Sequence, residues 1–148
     1  LIKQNFSFCW YQFYKFLFPY CLRWKNHFGD LEFFSILATI VLNSRTQIDK
    51  KLKGIESYVE EWRNTMIKYK IRGINAMSIS EITGIPRPTV VRKLKILVKK
   101  KYISYDKNKL INIDLSKKNF EEMARIQDLN INSFNVFTKR TFNQINVS

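Results

Sequence analysis

The chain has 148 residues, of which 26 are Lys or Arg and 12 are Asp or Glu, so its formal net charge is +14. With 45% hydrophobic residues and only 4 Gly and 3 Pro, the composition excludes collagen-like, low-complexity and intrinsically disordered chains, and the length excludes most multi-domain enzymes. The excess positive charge indicates an anionic partner, either nucleic acid or a membrane surface.

The first 28 residues hold 11 of the 22 aromatic residues. Apolar side chains recur there at helical spacing, which predicts an amphipathic helix from Phe6 that is perturbed near Pro19. The predicted apolar stripe consists of Phe6, Trp10, Phe13, Tyr14, Leu17 and Cys21. A spanning helix is not expected, because the longest uncharged run is residues 33–44 and about 20 mostly apolar residues are needed. A secretory signal is not expected either, since no small-residue cleavage site follows; the first residue, Leu1, leaves room for preceding sequence.

Cys9 and Cys21 are too few for a disulfide framework, and the single His27 leaves no zinc-binding spacing. The sequence therefore favours a reducing compartment with two buried or half-buried thiols, and it predicts neither a metal nor another cofactor. A thiol redox switch is the alternative, although neither cysteine has an obvious activating neighbour.

Asp30 is a plausible N-cap for a second helix over residues 31–42. Ser44 and Gln47 form a capping-box pattern, which predicts that a third helical stretch begins there. That stretch carries apolar residues at spacings of three and four from Ile48 to Met66. The sequence leaves open whether it is one helix or two.

The pattern changes after Gly73. Ser78 and Glu81 form another capping box, which predicts a short helix that ends at Gly84. A turn with prolines then leads into a longer helix, whose apolar stripe consists of Val90, Leu94 and Leu97.

A small β-hairpin is predicted after this helix, with strands at 102–105 and 110–114 joined by the turn 106–109. Beyond Ser116, the spacing of Phe120, Met123 and Ile126 predicts one or two further helices.

The positive charge is concentrated in this region. Residues 86–109 contain nine Lys or Arg residues against the single acidic residue Asp106. An AT-rich coding bias would spread lysine evenly along the chain, so the clustering favours a binding surface. On the longer helix, Arg92, Lys95 and Lys99 lie roughly opposite the apolar stripe.

The segment from Ser78 to Ile103 resembles the winged helix-turn-helix of bacterial transcription regulators, of the broad MarR, ArsR and Crp-related kind. The more specific elements of the resemblance are the Gly84-Ile85 turn, the Thr89-Val90 pair and the Leu94/Leu97 stripe. Two residues depart from the family pattern: Ser80 stands where Ala is frequent, and Lys101 stands where Gly often precedes the first wing strand. A left-handed Lys101 would cost ~1 kcal/mol.

The resemblance implies a mainly α fold: a winged helix-turn-helix with a small β-hairpin wing and flanking N- and C-terminal helices. The expected division is residues 1–56 for helical packing or dimerisation, 57–115 for DNA binding, and 116–148 for a C-terminal helical segment.

Such a protein reads DNA with the second helix in the major groove and grips the flanking backbone with the wing. The residues expected to contact bases are Arg87, Thr89, Val91, Arg92 and Lys95. Arg87 and Arg92 suit guanine, because a guanidinium can donate two hydrogen bonds to O6 and N7. The residues expected to contact the DNA backbone are Ser78, Lys99, Lys107 and Lys109. Each of these side chains has an ordinary solvated surface role as its alternative.

The expected function is sequence-specific regulation of transcription by a cytoplasmic, nucleoid-associated homodimer. The aromatic N-terminal helix and the C-terminal helix are the candidate dimer interface. Trp10, Trp24 and Trp62 are expected in the core or at that interface, with an effector pocket as the alternative. No effector is identified from the residues.

Two other interpretations remain for the whole protein. One is a winged-helix module for protein interaction or sequence-blind DNA binding, and the other is a peripheral membrane protein that uses its aromatic N-terminal helix. An enzyme is not expected, because the chain contains no phosphate-cradling glycine loop, nucleophile elbow or HExxH pattern.

Overall fold

The computed structural model describes residues 3–49, 64, 67–68, 71–114 and 116–147. In this part the protein is mainly helical, with a two-stranded antiparallel hairpin. The elements are α1 (Phe6–Phe28), α2 (Leu31–Asp49), α3 (Ala76–Thr83), α4 (Arg87–Lys99), β1 (Ile103–Tyr105), β2 (Ile111–Ile113) and α5 (Lys117–Val147).

The chain divides into two compact units. The first, called here the helix-pair unit, consists of Leu1–Leu31 and Glu122–Ser148, and the second, the central unit, consists of Glu32–Glu121. The predicted three-part functional division has its boundaries at 56/57 and 115/116, which adjoin residues outside the described part, and it stays a prediction.

In the helix-pair unit, α1 and the C-terminal part of α5 run antiparallel. Phe13 packs on Phe137 and Phe16 on Phe134, with ring centroids 6.2 and 5.3 Å apart. Further along α1, Arg23 donates hydrogen bonds to Asn130 Oδ1 at 2.9 Å and Ser133 Oγ at 3.2 Å. In these contacts, higher residue numbers in α1 pair with lower residue numbers in α5, so the two helices are antiparallel.

The predicted stripe of α1 is wrong in part. The helix is continuous through Pro19, and its buried residues are Cys9, Gln12, Trp24 and Phe28, whereas Phe6, Trp10 and Tyr14 are exposed. Aromatic residues are so frequent around this helix that helical spacing alone does not single out the buried side. Cys9 is buried and Cys21 half-buried, as expected.

The second helix, α2, begins at Leu31 as predicted but continues beyond Leu42 to Asp49. Ser44 is therefore not the N-cap of a third helix: its buried hydroxyl donates to the Ile40 carbonyl at 3.0 Å, within α2. A serine whose hydroxyl donates to a carbonyl of the preceding helical turn can match the capping-box sequence pattern without capping a helix. The predicted stretch from Ile48 to Met66 lies almost entirely outside the described residues.

The short helix α3 begins earlier than predicted. Its N-cap is Asn75, whose side-chain oxygen accepts from the backbone N–H of Ser78 at 2.9 Å, so Ser78 lies inside the first turn. Asn caps a helix as well as Ser does. The predicted end is confirmed, because Gly84 has φ 71° and closes α3 with its N–H on the Ser80 carbonyl.

The hairpin is confirmed, with Ile103 opposite Ile113 and Tyr105 opposite Ile111. Ile74 adds a single-residue bridge, since its N–H and C=O both bond to Ile111, at 3.0 and 2.8 Å. Gly73 allows this approach, because a Cβ there would lie 2.7 Å from the Ile111 carbonyl oxygen. The segment before α3 is thereby fixed to β2.

Past Ser116, the chain forms one helix, α5, so the described residues select the single-helix alternative. None of the helices in the described ranges is long and apolar enough to cross a membrane.

Candidate nucleic-acid interface

The candidate interface is built on α4, whose two sides differ in chemistry. Val90, Leu94 and Leu97 are fully buried, and α4 packs against α3 and β1. Burial of an aliphatic side chain contributes ~2 kcal/mol, so this stripe fixes the rotation of α4 about its own axis. The opposite side must then face solvent.

That exposed side carries Arg92, Lys95 and Lys99, which are all exposed. Arg87 is also exposed, because it is the first residue of α4. Val91 is exposed and Thr89 is half-buried. The fold therefore places the five residues expected to contact bases along one helix, with Thr89 the least accessible of them.

The connection between α3 and α4 is braced by hydroxyl groups. Ser80 Oγ donates to the Ile85 carbonyl at 2.7 Å, and Thr83 Oγ1 donates to the Ile79 carbonyl at 2.7 Å. Thr83 Oγ1 also accepts from the Ile85 N–H at 3.3 Å. Ser80, the first departure from the family pattern, thus acquires a physical role, because its hydroxyl satisfies a carbonyl in a tight turn.

The exit of α4 contains the second departure. Lys101 has φ 60° and is left-handed. The Lys101 N–H donates to the Val98 carbonyl at 2.9 Å, and the Tyr102 N–H donates to the Leu97 carbonyl at 3.0 Å. This pair of bonds is a Schellman motif with lysine in place of glycine. Asn119 strengthens it, because its side-chain N–H₂ donates to the carbonyls of Lys100 and Lys101 at 2.7 and 2.8 Å.

The hairpin turn is organised by Asp106. Its Oδ1 accepts from the N–H groups of Asn108 and Leu110 at 2.8 and 2.9 Å. Lys107 and Lys109 are exposed on this turn, and Lys109 has φ 58°. Two of the residues expected to contact the DNA backbone thus occupy the tip of a rigidly bonded loop.

The other two residues expected to contact the DNA backbone, Lys99 and Ser78, differ in exposure. Lys99 lies exposed near the end of α4, whereas Ser78 is half-buried, and its N–H is already bonded to Asn75. Among the expected backbone contacts, Ser78 therefore has the least freedom to bind a phosphate.

Lys93 behaves differently from the other cations. Its side chain is buried, with Nζ 3.1 Å from Glu32 Oε2 and 4.1 Å from the centre of the Phe33 ring. The cation is thus neutralised at the contact between α4 and α2 instead of facing a ligand. The sequence spacing could have revealed this burial, because Lys93 lies three residues after Val90 and four before Leu97, on the same side of the helix as both.

Eight of the nine cations in residues 86–109 are exposed, at Arg87, Arg92, Lys95, Lys99, Lys100, Lys101, Lys107 and Lys109. Lys100 and Lys101 extend the predicted set, since they continue the exposed cations from α4 towards the hairpin. The surface therefore suits an extended polyanion. The described part of the chain also holds no group of three or more His, Cys, Asp or Glu that could bind a metal ion.

Comparison of the sequence with protein families and with curated proteins, and of the structure with solved structures, finds no match.

Proposed function

We propose that this protein is a winged helix-turn-helix regulator that binds double-stranded DNA and controls transcription. The observation that carries the proposal is the orientation of α4: a fully buried stripe at Val90, Leu94 and Leu97 turns Arg92 and Lys95 outward, and Arg87 is exposed as the first residue of the helix. The major groove, about 12 Å wide, admits a helix presented in this way.

In this proposal, α3, the braced turn and α4 are the helix-turn-helix, and β1 with β2 is the wing. Arg87 and Arg92 donate paired hydrogen bonds to guanine O6 and N7, and Val91 contacts a thymine methyl group. Thr89 and Lys95 reach neighbouring base edges. Ser78, Lys99, Lys107 and Lys109 bind phosphates and set the register of the helix in the groove.

A two-fold symmetric operator requires a two-fold symmetric protein, so the proposed active form is a homodimer. Each copy reads one half-site with its own α4. This role places the protein on the nucleoid in the cytoplasm, and it requires neither a cofactor nor catalysis.

The test is selection from a random duplex library at near-physiological salt, comparing the wild type with Arg87→Ala/Arg92→Ala. The wild type should enrich an inverted-repeat motif. The variant should lose the enrichment, because each lost bidentate contact costs ~1–3 kcal/mol of discrimination. Lys25→Ala/Arg125→Ala is the matched control, since it removes two exposed cations from the helix-pair unit and leaves α4 intact.

A second variant, Lys107→Ala/Lys109→Ala, separates the wing from the reading helix. It should weaken binding to every sequence alike and reduce the slope of log K against log salt by roughly 2, with the motif unchanged. Binding without any enriched motif, equal in wild type and in Arg87→Ala/Arg92→Ala, would overturn the proposal and favour the protein-interaction or sequence-blind DNA-binding module.

A further inference from the structure

The helix-pair unit leaves large aromatic side chains in solvent along one side of α1. Five of them, each between 47% and 66% exposed, are called here the aromatic face: Phe6, Trp10, Tyr11, Tyr14 and Phe18. Trp10 lies at the centre of this face in its N-terminal half, with its ring 5.7 Å from Phe6 and 5.3 Å from Tyr14. The rings of Phe6, Trp10 and Tyr14 are therefore contiguous, and the helix register places Tyr11 and Phe18 three residues before and four residues after Tyr14, on the same side.

Contacts within the unit do not cover this patch. α1 uses Phe13 and Phe16 against Phe134 and Phe137 of α5, and this side borders the aromatic face at Phe13, whose ring lies 5.4 Å from that of Trp10. Two antiparallel helices bury one side of each against the other, whereas a helical layer with a second apolar side needs another layer to cover it.

The exposed area is large for a single apolar patch. With ~200 Å² for each large aromatic side chain, about half of it exposed, the aromatic face presents on the order of 500 Å². This is at the upper end for the largest apolar patch on a monomer, at ~300–600 Å². A standard interface buries about 800 Å² from each partner, so the aromatic face supplies more than half of such an interface.

Charge separates the two ends of this unit. By the helix register, one end carries four cations and no carboxylate of the described residues, and these cations are Lys3, Lys15, Lys139 and Arg140. All three carboxylates of the unit, at Asp30, Glu122 and Asp128, lie towards the other end, together with Arg23, Lys25 and Arg125. Stacking two copies in parallel would place four cations against four cations. An antiparallel arrangement avoids this repulsion, because it places the cationic end of each copy beside the other end, where three carboxylates and three cations balance.

We infer that the aromatic face binds a second copy of this chain, with the two α1 helices antiparallel, so that two helix pairs form a four-helix arrangement. The midpoint of α1 is Leu17, so a two-fold axis there brings Phe18 of each copy close to Phe18 of the other. The inference deepens the proposed function and rests on it in one respect: the second copy supplies the second reading helix.

The experiment is sedimentation equilibrium of the full chain without DNA. The wild type should have twice the monomer mass of 17.8 kDa at micromolar concentration. Phe18→Glu should raise the dimer dissociation constant by ~100-fold or more, because it replaces a central aromatic contact and sets two carboxylates against each other at the axis. Ile82→Glu is the matched control: Ile82 is also 66% exposed but lies on α3, and its variant should remain dimeric.

Phe18→Ala is the second variant, for which a weaker dimer with unchanged helical circular dichroism is expected. A wild type that stays monomeric at ~100 μM, or a Phe18→Glu variant that dimerises as tightly as the wild type, overturns the inference. In the first case, co-flotation of the wild type with phosphatidylglycerol vesicles, lost in Phe18→Glu, assigns the face to an anionic lipid surface instead.

This experiment is independent of the DNA selection. Arg87→Ala/Arg92→Ala should sediment as a dimer, because it leaves α1 unchanged. A dimer that enriches no DNA motif contradicts the proposed function alone, and a monomer that still enriches a single half-site contradicts the dimer interface alone.

Discussion

The two units differ in how their apolar side chains pack. In the central unit, medium-sized aliphatic residues from α3, α4 and the hairpin are completely buried, as at Ile79, Val90, Leu94 and Ile111. In the helix-pair unit, much larger aromatic residues remain half-exposed, as at Phe18. The small aliphatic side chains of the central unit interdigitate closely. Two helices that pack on each other bury only one side of each helix, so apolar residues on the other sides stay exposed.

The difference has a functional consequence. A unit whose core is closed can devote its outer surface to charge, and the central unit does so with eight exposed cations between Arg87 and Lys109. A unit whose apolar side is open suits association. The proposed division of labour, with DNA on one unit and the second copy on the other, follows from this contrast.

The largest expected effect tests the contrast directly. Leu94→Ala should lower the free energy of unfolding by ~3 kcal/mol at every protein concentration, because it opens a cavity in a closed core. Phe18→Ala should act only through association, so its effect should shrink towards zero on dilution. Urea denaturation at several protein concentrations measures both. An equal, concentration-independent loss in the two variants would show that the aromatic face is internally packed.

A smaller effect concerns the buried cation in the central unit. Glu32→Ala should cost ~1–2 kcal/mol, because it removes the carboxylate 3.1 Å from the buried Lys93 ammonium, with solvent around the half-exposed Glu32 moderating the loss. Lys93→Met should cost less than ~1 kcal/mol, since it keeps the apolar stem and removes the charge. Urea denaturation compares the two, and a larger loss in Lys93→Met would contradict this account.

The smallest effect lies at the exit of α4. Lys101→Gly should stabilise the protein by ~0.5–1 kcal/mol, because glycine adopts φ 60° without the steric cost of a Cβ. Lys100→Gly is the control, since Lys100 has φ −81° and the same charge is lost; it should destabilise by a similar amount. Thermal unfolding should separate the two midpoints by several degrees. A Lys101→Gly variant less stable than the wild type would contradict the strain assigned to this residue.

Local signals were sufficient for the end of α3, the turn, α4 and the hairpin. Gly84, the adjacent prolines and the Val90, Leu94 and Leu97 spacing each act within a few residues, so each is readable along the chain. The exposure of Arg92 and Lys95 followed from the same stripe, and that of Arg87 from its position at the start of α4. That these side chains contact DNA bases stays a prediction.

Other features depended on partners distant in sequence. Asn119 bonds to the carbonyls of Lys100 and Lys101, and nothing local marks it for that role.

Capping-box patterns misplaced the starts at Ser44 and Ser78, because the same hydroxyl groups can bond within a helix, and Asn75 was an equally good cap.

The sequence by itself determined the helix–turn–helix–hairpin order and the concentration of positive charge around α4, because both depend on neighbouring residues and composition. Only the tertiary structure decided that Glu32 pairs with Lys93, which side of α1 packs on α5, and which aromatic residues stay exposed. The reason is that burial is a property of two surfaces in contact, and a helix that is apolar nearly all round does not specify from its own sequence which side another element will cover.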